Sequence, residues 1–217
     1  MKLKKIASLA LAGIMAVSML AGCKDGGNSN SGSSSSEPTA PTGYTATIYD
    51  LTSAQTKSVL KTKENATLTA AMDAVEAVFQ PGYINNYKTA GANGLVAFVA
   101  GGSNESTALY AALNSKLGAN YTVNAITGNA YNKMNGATTN TDKTYVGLYC
   151  ISSALNDSNI NKEVATEVNR LMGDVKNNTV NGDTVDWYLT VDKFAEGTTN
   201  DGATIVMIAI ERATTKA

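Results

Sequence analysis

Residues 185–191, Val-Asp-Trp-Tyr-Leu-Thr-Val, alternate between apolar and polar side chains along their whole length. In a β-strand this alternation places the four apolar residues on one face and the three polar positions on the other. Trp187 is therefore predicted to lie in the core, and Tyr188 on the opposite face is predicted to be exposed. A second apolar stretch, residues 204–210, predicts the strand that follows.

Three other stretches carry apolar residues at helical spacing, namely residues 68–79, 109–117 and 160–175. Each has a recognisable boundary. Ser103 or Ser106 can cap the second helix, and Asn159 or Asn161 can cap the third. Gly118 ends the second helix, because glycine adopts the backbone conformations that terminate helices. Residues 53–63 are predicted to hold a further short, polar helix.

The remaining β-branched, aromatic and apolar stretches predict strands at residues 44–49, 95–100, 121–126 and 144–151. Residues 95–100 are continuously apolar, which is typical of a central strand covered on both faces. These elements predict an α+β fold, an antiparallel or mixed sheet with helices on one face. Two finer arrangements remain open. The order after residue 104 allows a duplicated α-β-β unit, and residues 95–191 allow a ferredoxin-like core.

The beginning of the sequence carries a targeting signal. Lys2, Lys4 and Lys5 precede an apolar run over residues 6–20, and Leu20-Ala21-Gly22-Cys23 follows. A basic start, a short apolar stretch and small residues are the pattern of a secretory signal, and the apolar run is shorter than an ordinary membrane span. The last four residues resemble the lipobox of bacterial lipoproteins. This resemblance covers only the first part of the chain.

The lipobox resemblance implies cleavage after Gly22 and lipid attachment to the Cys23 thiol. Residues 1–22 would then be a signal peptide, and Cys23 would anchor the mature chain to the cell membrane, facing outside the cytoplasm. Residues 24–43 are rich in Gly, Ser, Asn and Pro, a composition typical of a flexible tether about 25 Å in end-to-end distance. Residues 44–217 are predicted to form a single domain.

Charge and composition exclude several classes of function. Without residues 1–22 the chain has 14 basic and 18 acidic residues, a net charge of −4, so neither nucleic acid nor an anionic membrane surface is an expected electrostatic partner. The chain contains no histidine, which excludes Ser-His-Asp and Cys-His catalysis. With Cys23 lipidated, Cys150 has no disulfide partner, and its place in an apolar strand predicts an inert, buried thiol.

The candidate site is a surface formed by two loops, residues 131–142 and 193–203. Tyr131, Tyr188 and Asp201 are its predicted binding residues, because tyrosine offers an amphipathic contact area to proteins, peptides and glycans. No catalytic residue, metal or cofactor is assigned. The predicted function is a lipid-anchored binding module whose ligand is an unknown protein, peptide or glycan.

Two alternatives to a binding module remain open. The late carboxylates, including Asp183, Asp186 and Asp201, could serve a hydrolase that acts on glycans or peptides. The chain could also be a structural subunit of an envelope assembly.

Overall fold

A computed structural model of the chain describes residues 43–80, 94–98, 102–123, 143–173, 179–180, 183–197 and 202–215. All of them belong to one compact unit. The strands are β1 (Leu60–Thr62), β2 (Val96–Ala97), β3 (Tyr121–Val123), β4 (Lys143–Ser152), β5 (Thr179–Val180), β6 (Asp183–Glu196) and β7 (Ala203–Thr215). The helices are α1 (Tyr44–Leu51), α2 (Ala54–Lys57), α3 (Ala66–Val78), α4 (Asn104–Asn114) and α5 (Asp157–Met172).

The strands form one mixed sheet around β7. β7 pairs antiparallel with β6 on one side and with β4 on the other. The outer edge of β6 carries β1 in parallel and β5 antiparallel, and the outer edge of β4 carries β2 antiparallel and β3 in parallel. Three long strands therefore form the body of the sheet, and four short strands cover parts of its two edges.

Both faces of the sheet are buried. Along β7, Val206, Ile208 and Ile210 pack with helices α1 and α5, whereas Ile205 and Met207 pack with helices α3 and α4. We call these two sides the α5 face and the α3–α4 face. A strand covered on both sides needs apolar residues at consecutive positions, which is why residues 205–210 are continuously apolar.

The α+β class and the mixed sheet are confirmed, but the expectation that the helices lie on one face is wrong. α1 and α5 pack on one face, and α3 and α4 pack on the other. The periodicity of a helix shows that one of its sides is buried, and it does not show against which face of the sheet.

Neither finer arrangement agrees with the described strands. A duplicated α-β-β unit would repeat the pairing of its two strands, yet β3 and β4 are parallel while β6 and β7 are antiparallel. The two helices of the supposed repeat, α4 and α5, also lie on opposite faces of the sheet. A ferredoxin-like core is excluded for the same reason, because its helices share one face.

Residues 44–49, predicted as a strand, belong to helix α1. Ile48 is fully buried against the α5 face, and the Thr45 hydroxyl contacts the backbone of Val191. These tertiary contacts outweigh the modest strand preference of β-branched and aromatic residues, which depends strongly on context. In the part of the chain that the structure describes, this is the one predicted strand that forms a helix.

Two further predictions were partly wrong. Within residues 95–100, the described strand is only Val96–Ala97, and it lies at an edge of the sheet beside β4 rather than at its centre. Residues 53–63 contain both a helical turn, α2, and the edge strand β1, which the sequence did not reveal.

The helix caps were predicted with mixed success. Ser103 caps α4 in a reciprocal arrangement with Ser106. The cap of α5 is Asn156 rather than Asn159 or Asn161.

Candidate binding groove

A single row of side chains crosses five strands on the α3–α4 face. The sheet register places Lys61, Tyr188, Glu211, Thr144 and Tyr121 opposite one another in that order. Directly opposed residues project to the same side of a sheet. With strands about 4.8 Å apart, the row is roughly 19 Å long.

Two lysines of the β1 edge lie over the middle of this row. The Lys61 ammonium is 2.8 Å from an Asp186 carboxylate oxygen, and the Lys63 ammonium is 2.7 Å from a Glu211 oxygen. The same two ammonium groups lie 5.9 Å and 5.4 Å from the centre of the Tyr188 ring. The hydrogen bond to Asp186 raises the pKa of Lys61. β1 is thus attached to β6 and β7 by ion pairs as well as by backbone pairing.

A cavity of about 240 Å³ opens beside this row. Its lining consists of amide, hydroxyl and charged groups, from Lys63, Asn65, Asn120, Tyr121, Lys143, Thr144 and Glu211. The volume is below the roughly 300–1,000 Å³ typical of pockets for drug-sized ligands. It is therefore suited to one ring-sized group or to one segment of a longer ligand.

Asn65 takes its position in the cavity because it caps helix α3. Its Oδ1 accepts hydrogen bonds from the backbone N–H groups of Thr67 and Leu68 at 3.1 and 3.2 Å. Its Nδ2 donates to the Tyr121 hydroxyl at 3.4 Å. The side chain that begins the helix therefore also presents an amide to the cavity.

A second cavity, of about 320 Å³, shares Asn65 with the first. It lies towards the edge of β6, and its polar lining comes from Thr45, Glu64, Asn65, Thr69, Thr190 and Asp192. We call the two cavities, together with the five-strand row, the groove. The groove is formed by residues from α1, β1, α3, β3, β4, β6 and β7, which are far apart in the sequence.

Asp192, in the second cavity, is a carboxylate whose surroundings disfavour its charge. Burial, together with the nearby carboxylates of Asp73 and Glu76 on α3, raises its pKa, although a hydrogen bond from the Lys193 N–H opposes this effect. The folded state therefore binds a proton here more readily than the unfolded state does.

Because of that raised pKa, Asp192→Asn is expected to stabilise the protein at pH 7. Amide oxygen can still accept the Lys193 hydrogen bond, and the unfavourable negative charge is removed. The gain is expected to shrink as the pH falls through the raised pKa, and to vanish near pH 3.5, where aspartate is protonated in both states. Urea denaturation of both proteins at several pH values measures this; a gain that grows towards low pH contradicts it.

The structure describes only part of the predicted site. Tyr131, Asp201, Gly22 and Cys23 lie outside the described residues, so the predictions for them stay predictions. Tyr188 does lie on the face opposite Trp187, as expected, but it is half-buried between two lysines rather than openly exposed.

The second predicted loop is shorter than expected. β6 continues to Glu196 and β7 begins at Ala203, so five of the eleven residues 193–203 are strand rather than loop. Cys150 is buried as predicted, with 1% of its surface exposed, and this burial raises the pKa of its thiol to about 12.

Sequence reasoning missed most of the groove residues. Lys61 and Asp186 are 125 positions apart, and Lys63 and Glu211 are 148 positions apart. A usable signal did exist in the alternation of Leu60-Lys61-Thr62-Lys63, which fits a short strand with one polar face. Among the described residues, no helix has the length and apolar character needed to cross a membrane, and no group of three or more potential ligand residues could hold a metal ion.

Comparison with known proteins leaves the groove to be interpreted from its own chemistry. No protein-family model matches the chain, and no curated protein and no solved structure matches it.

Proposed function

We propose that this protein is a lipid-anchored binding module on the outer side of the cell membrane and that its ligand occupies the groove. The lipobox-like Leu20-Ala21-Gly22-Cys23 supports the anchor, and residues 24–43 have the composition of a tether. The mature chain would carry a net charge of −4, so attachment is expected to depend on the lipid. Two or more acyl chains are sufficient for stable anchoring.

The observation that carries the binding role is the five-strand row with its adjoining cavities. Side chains from β1, β3, β4, β6 and β7 converge there, and the row provides donors, acceptors and two tyrosines on one side of a rigid sheet. A site built on strands of a sheet is held more precisely than one built on loops. Such a surface is suited to recognising a ligand through side chains held in fixed positions.

The anchor is tested by mass spectrometry of the protein isolated from its native membrane. We expect a mature chain that begins at Cys23 and carries the added mass of a diacylglyceryl group. We also expect Cys23→Ser to be lost from the membrane fraction. A chain that begins elsewhere, or an unmodified Cys23, contradicts the proposal.

The binding role is tested by a photo-crosslinking residue placed in living cells. At Asn120, in the groove, we expect adducts. At Asn159, exposed on helix α5 across the sheet, we expect none. Identical patterns at both positions, or no adduct at either, contradict a ligand in the groove.

A further inference from the structure

The proposed binding role can be taken one step further, to the chemical class of the ligand, from three features of the groove. The first feature is its lining. The two cavities present amides from Asn65 and Asn120 and hydroxyls from Thr69, Thr190 and Tyr121. These groups both donate and accept hydrogen bonds. They suit a ligand that is itself covered with hydroxyl groups, since each hydroxyl also donates and accepts.

The second feature is the pairing of charges. Lys61 is paired with Asp186, and Lys63 with Glu211. With Lys143, Glu64 and Asp192 in the two cavities, charged groups of both signs line the groove, so neither sign dominates to attract a strongly charged polymer. They still offer short, charge-assisted hydrogen bonds to neutral polar groups.

The third feature is the state of the sheet edges beside the groove. A peptide bound in extended form normally takes main-chain hydrogen bonds from a free strand edge. Here the edge of β6 is occupied by β1 over residues 187–189, and the Thr45 hydroxyl donates to the Val191 carbonyl and accepts from its N–H at 3.0 and 2.9 Å. On the other side, β3 occupies the edge of β4 over residues 144–146.

We propose that the ligand of the groove is a glycan, bound as a segment of at least two sugar units with one unit in each of the two cavities that share Asn65. Tyr121, which lines the first cavity, would contact a sugar ring, and the amides and hydroxyls would bind the hydroxyl groups of the sugars. This inference rests on the proposed binding role of the groove.

The test uses the full-length protein in detergent micelles and protease-treated envelope polysaccharide from the producing cells, immobilised on beads. One half of the beads is oxidised with periodate, which cleaves the carbon–carbon bond between neighbouring hydroxyl groups. We expect retention on untreated beads and at least tenfold weaker retention on oxidised beads. Equal retention on both kinds of beads, or no retention on untreated beads, overturns the glycan.

Matched variants place this binding in the groove. Asn120→Ala and Asn65→Asp are each expected to weaken retention about three- to tenfold, as the loss of one or two hydrogen bonds would. Asn159→Ala and Asn156→Asp make the same changes on helix α5 and are expected to have no effect. Aspartate is as good a helix cap as asparagine, so both caps are preserved. Equal effects in the two pairs overturn the assignment to the groove.

The crosslinking experiment separates this inference from the proposed function. If Asn120 captures peptide rather than sugar, the glycan is wrong and the binding role stands. If the crosslinker at Asn120 gives the same adducts as the crosslinker at Asn159, or none, both the glycan and the binding role are wrong.

Discussion

Tyr110→Phe is expected to lower the free energy of unfolding by about 2–3 kcal/mol, although it removes a single oxygen atom. The Tyr110 hydroxyl donates to the Phe98 carbonyl at 2.8 Å and accepts from the Leu148 N–H at 3.3 Å. The side chain is 4% exposed, so no bulk water can replace it. A buried backbone group that loses its partner costs about 1–3 kcal/mol.

The position of Tyr110 explains why its hydroxyl is needed. β3 pairs with β4 at residues 144–146, and β2 pairs with β4 at Cys150 and Tyr149. The Leu148 N–H falls in the gap between these two short strands, and the hydroxyl from helix α4 fills it. Helix α4 thereby joins the edge of the sheet to the core beneath it.

Urea denaturation provides the measurement for Tyr110→Phe. The midpoint should fall while the slope stays unchanged, since the surface exposed on unfolding is the same. Tyr49→Phe is the matched control, because this half-buried tyrosine of helix α1 has the Lys57 ammonium 5.7 Å from the centre of its ring. The change should stay within about 0.5 kcal/mol. If the two variants lose equal stability, the bridging role of Tyr110 is wrong.

Thr45→Val is expected to have a similar cost, about 2–3 kcal/mol. The Thr45 hydroxyl satisfies both the N–H and the C=O of Val191, on the edge of β6 just beyond the end of β1. Valine has the same shape and is also β-branched, so helix α1 and the packing are preserved. Two buried backbone groups would be left without partners, each at a cost of about 1–3 kcal/mol that local relaxation partly recovers.

Hydrogen exchange identifies the cause of this loss. The Val191 amide should lose protection in Thr45→Val, whereas amides in the centre of β7 should change only with global stability. Thr47→Val is the control, because the Thr47 hydroxyl donates to the Gly43 carbonyl at 3.3 Å at an exposed position. Thr47→Val is expected to change the free energy of unfolding by no more than about 0.5 kcal/mol. An unchanged Val191 amide would contradict the role assigned to Thr45.

The hydroxyls of Thr45 and Tyr110 bear on function as well as on stability. Unpaired strand edges invite pairing with another chain, and at Val191 and Leu148 a side chain takes the place of that pairing. The groove lies on a face of the sheet between these two positions, where a ligand meets side chains rather than backbone groups. If Thr45→Val gained affinity for extended peptides, this view of the edges would be supported directly.

Local sequence patterns were sufficient where neighbouring residues alone decide the structure. Alternation over residues 185–191 predicted a strand, the burial of Trp187 and the opposite face of Tyr188, since a strand has a side-chain period of two. Apolar spacing predicted helices α3, α4 and α5, and an apolar context predicted the burial of Cys150. Ser103 was predicted as one of two possible caps, with Ser106 as the other, because capping involves only the next three residues.

The tertiary structure alone decided the rest. Periodicity shows how much of an element is buried and not what covers it, so the placement of α3 and α4 against one face and α5 against the other could not be derived. Residues 44–49 form a helix because Ile48 and Thr45 meet β6, more than 140 positions later. The groove exists because strand register aligns Lys61, Tyr188 and Glu211 from three distant segments. Register is set by the packing of whole faces, which no local stretch of sequence contains.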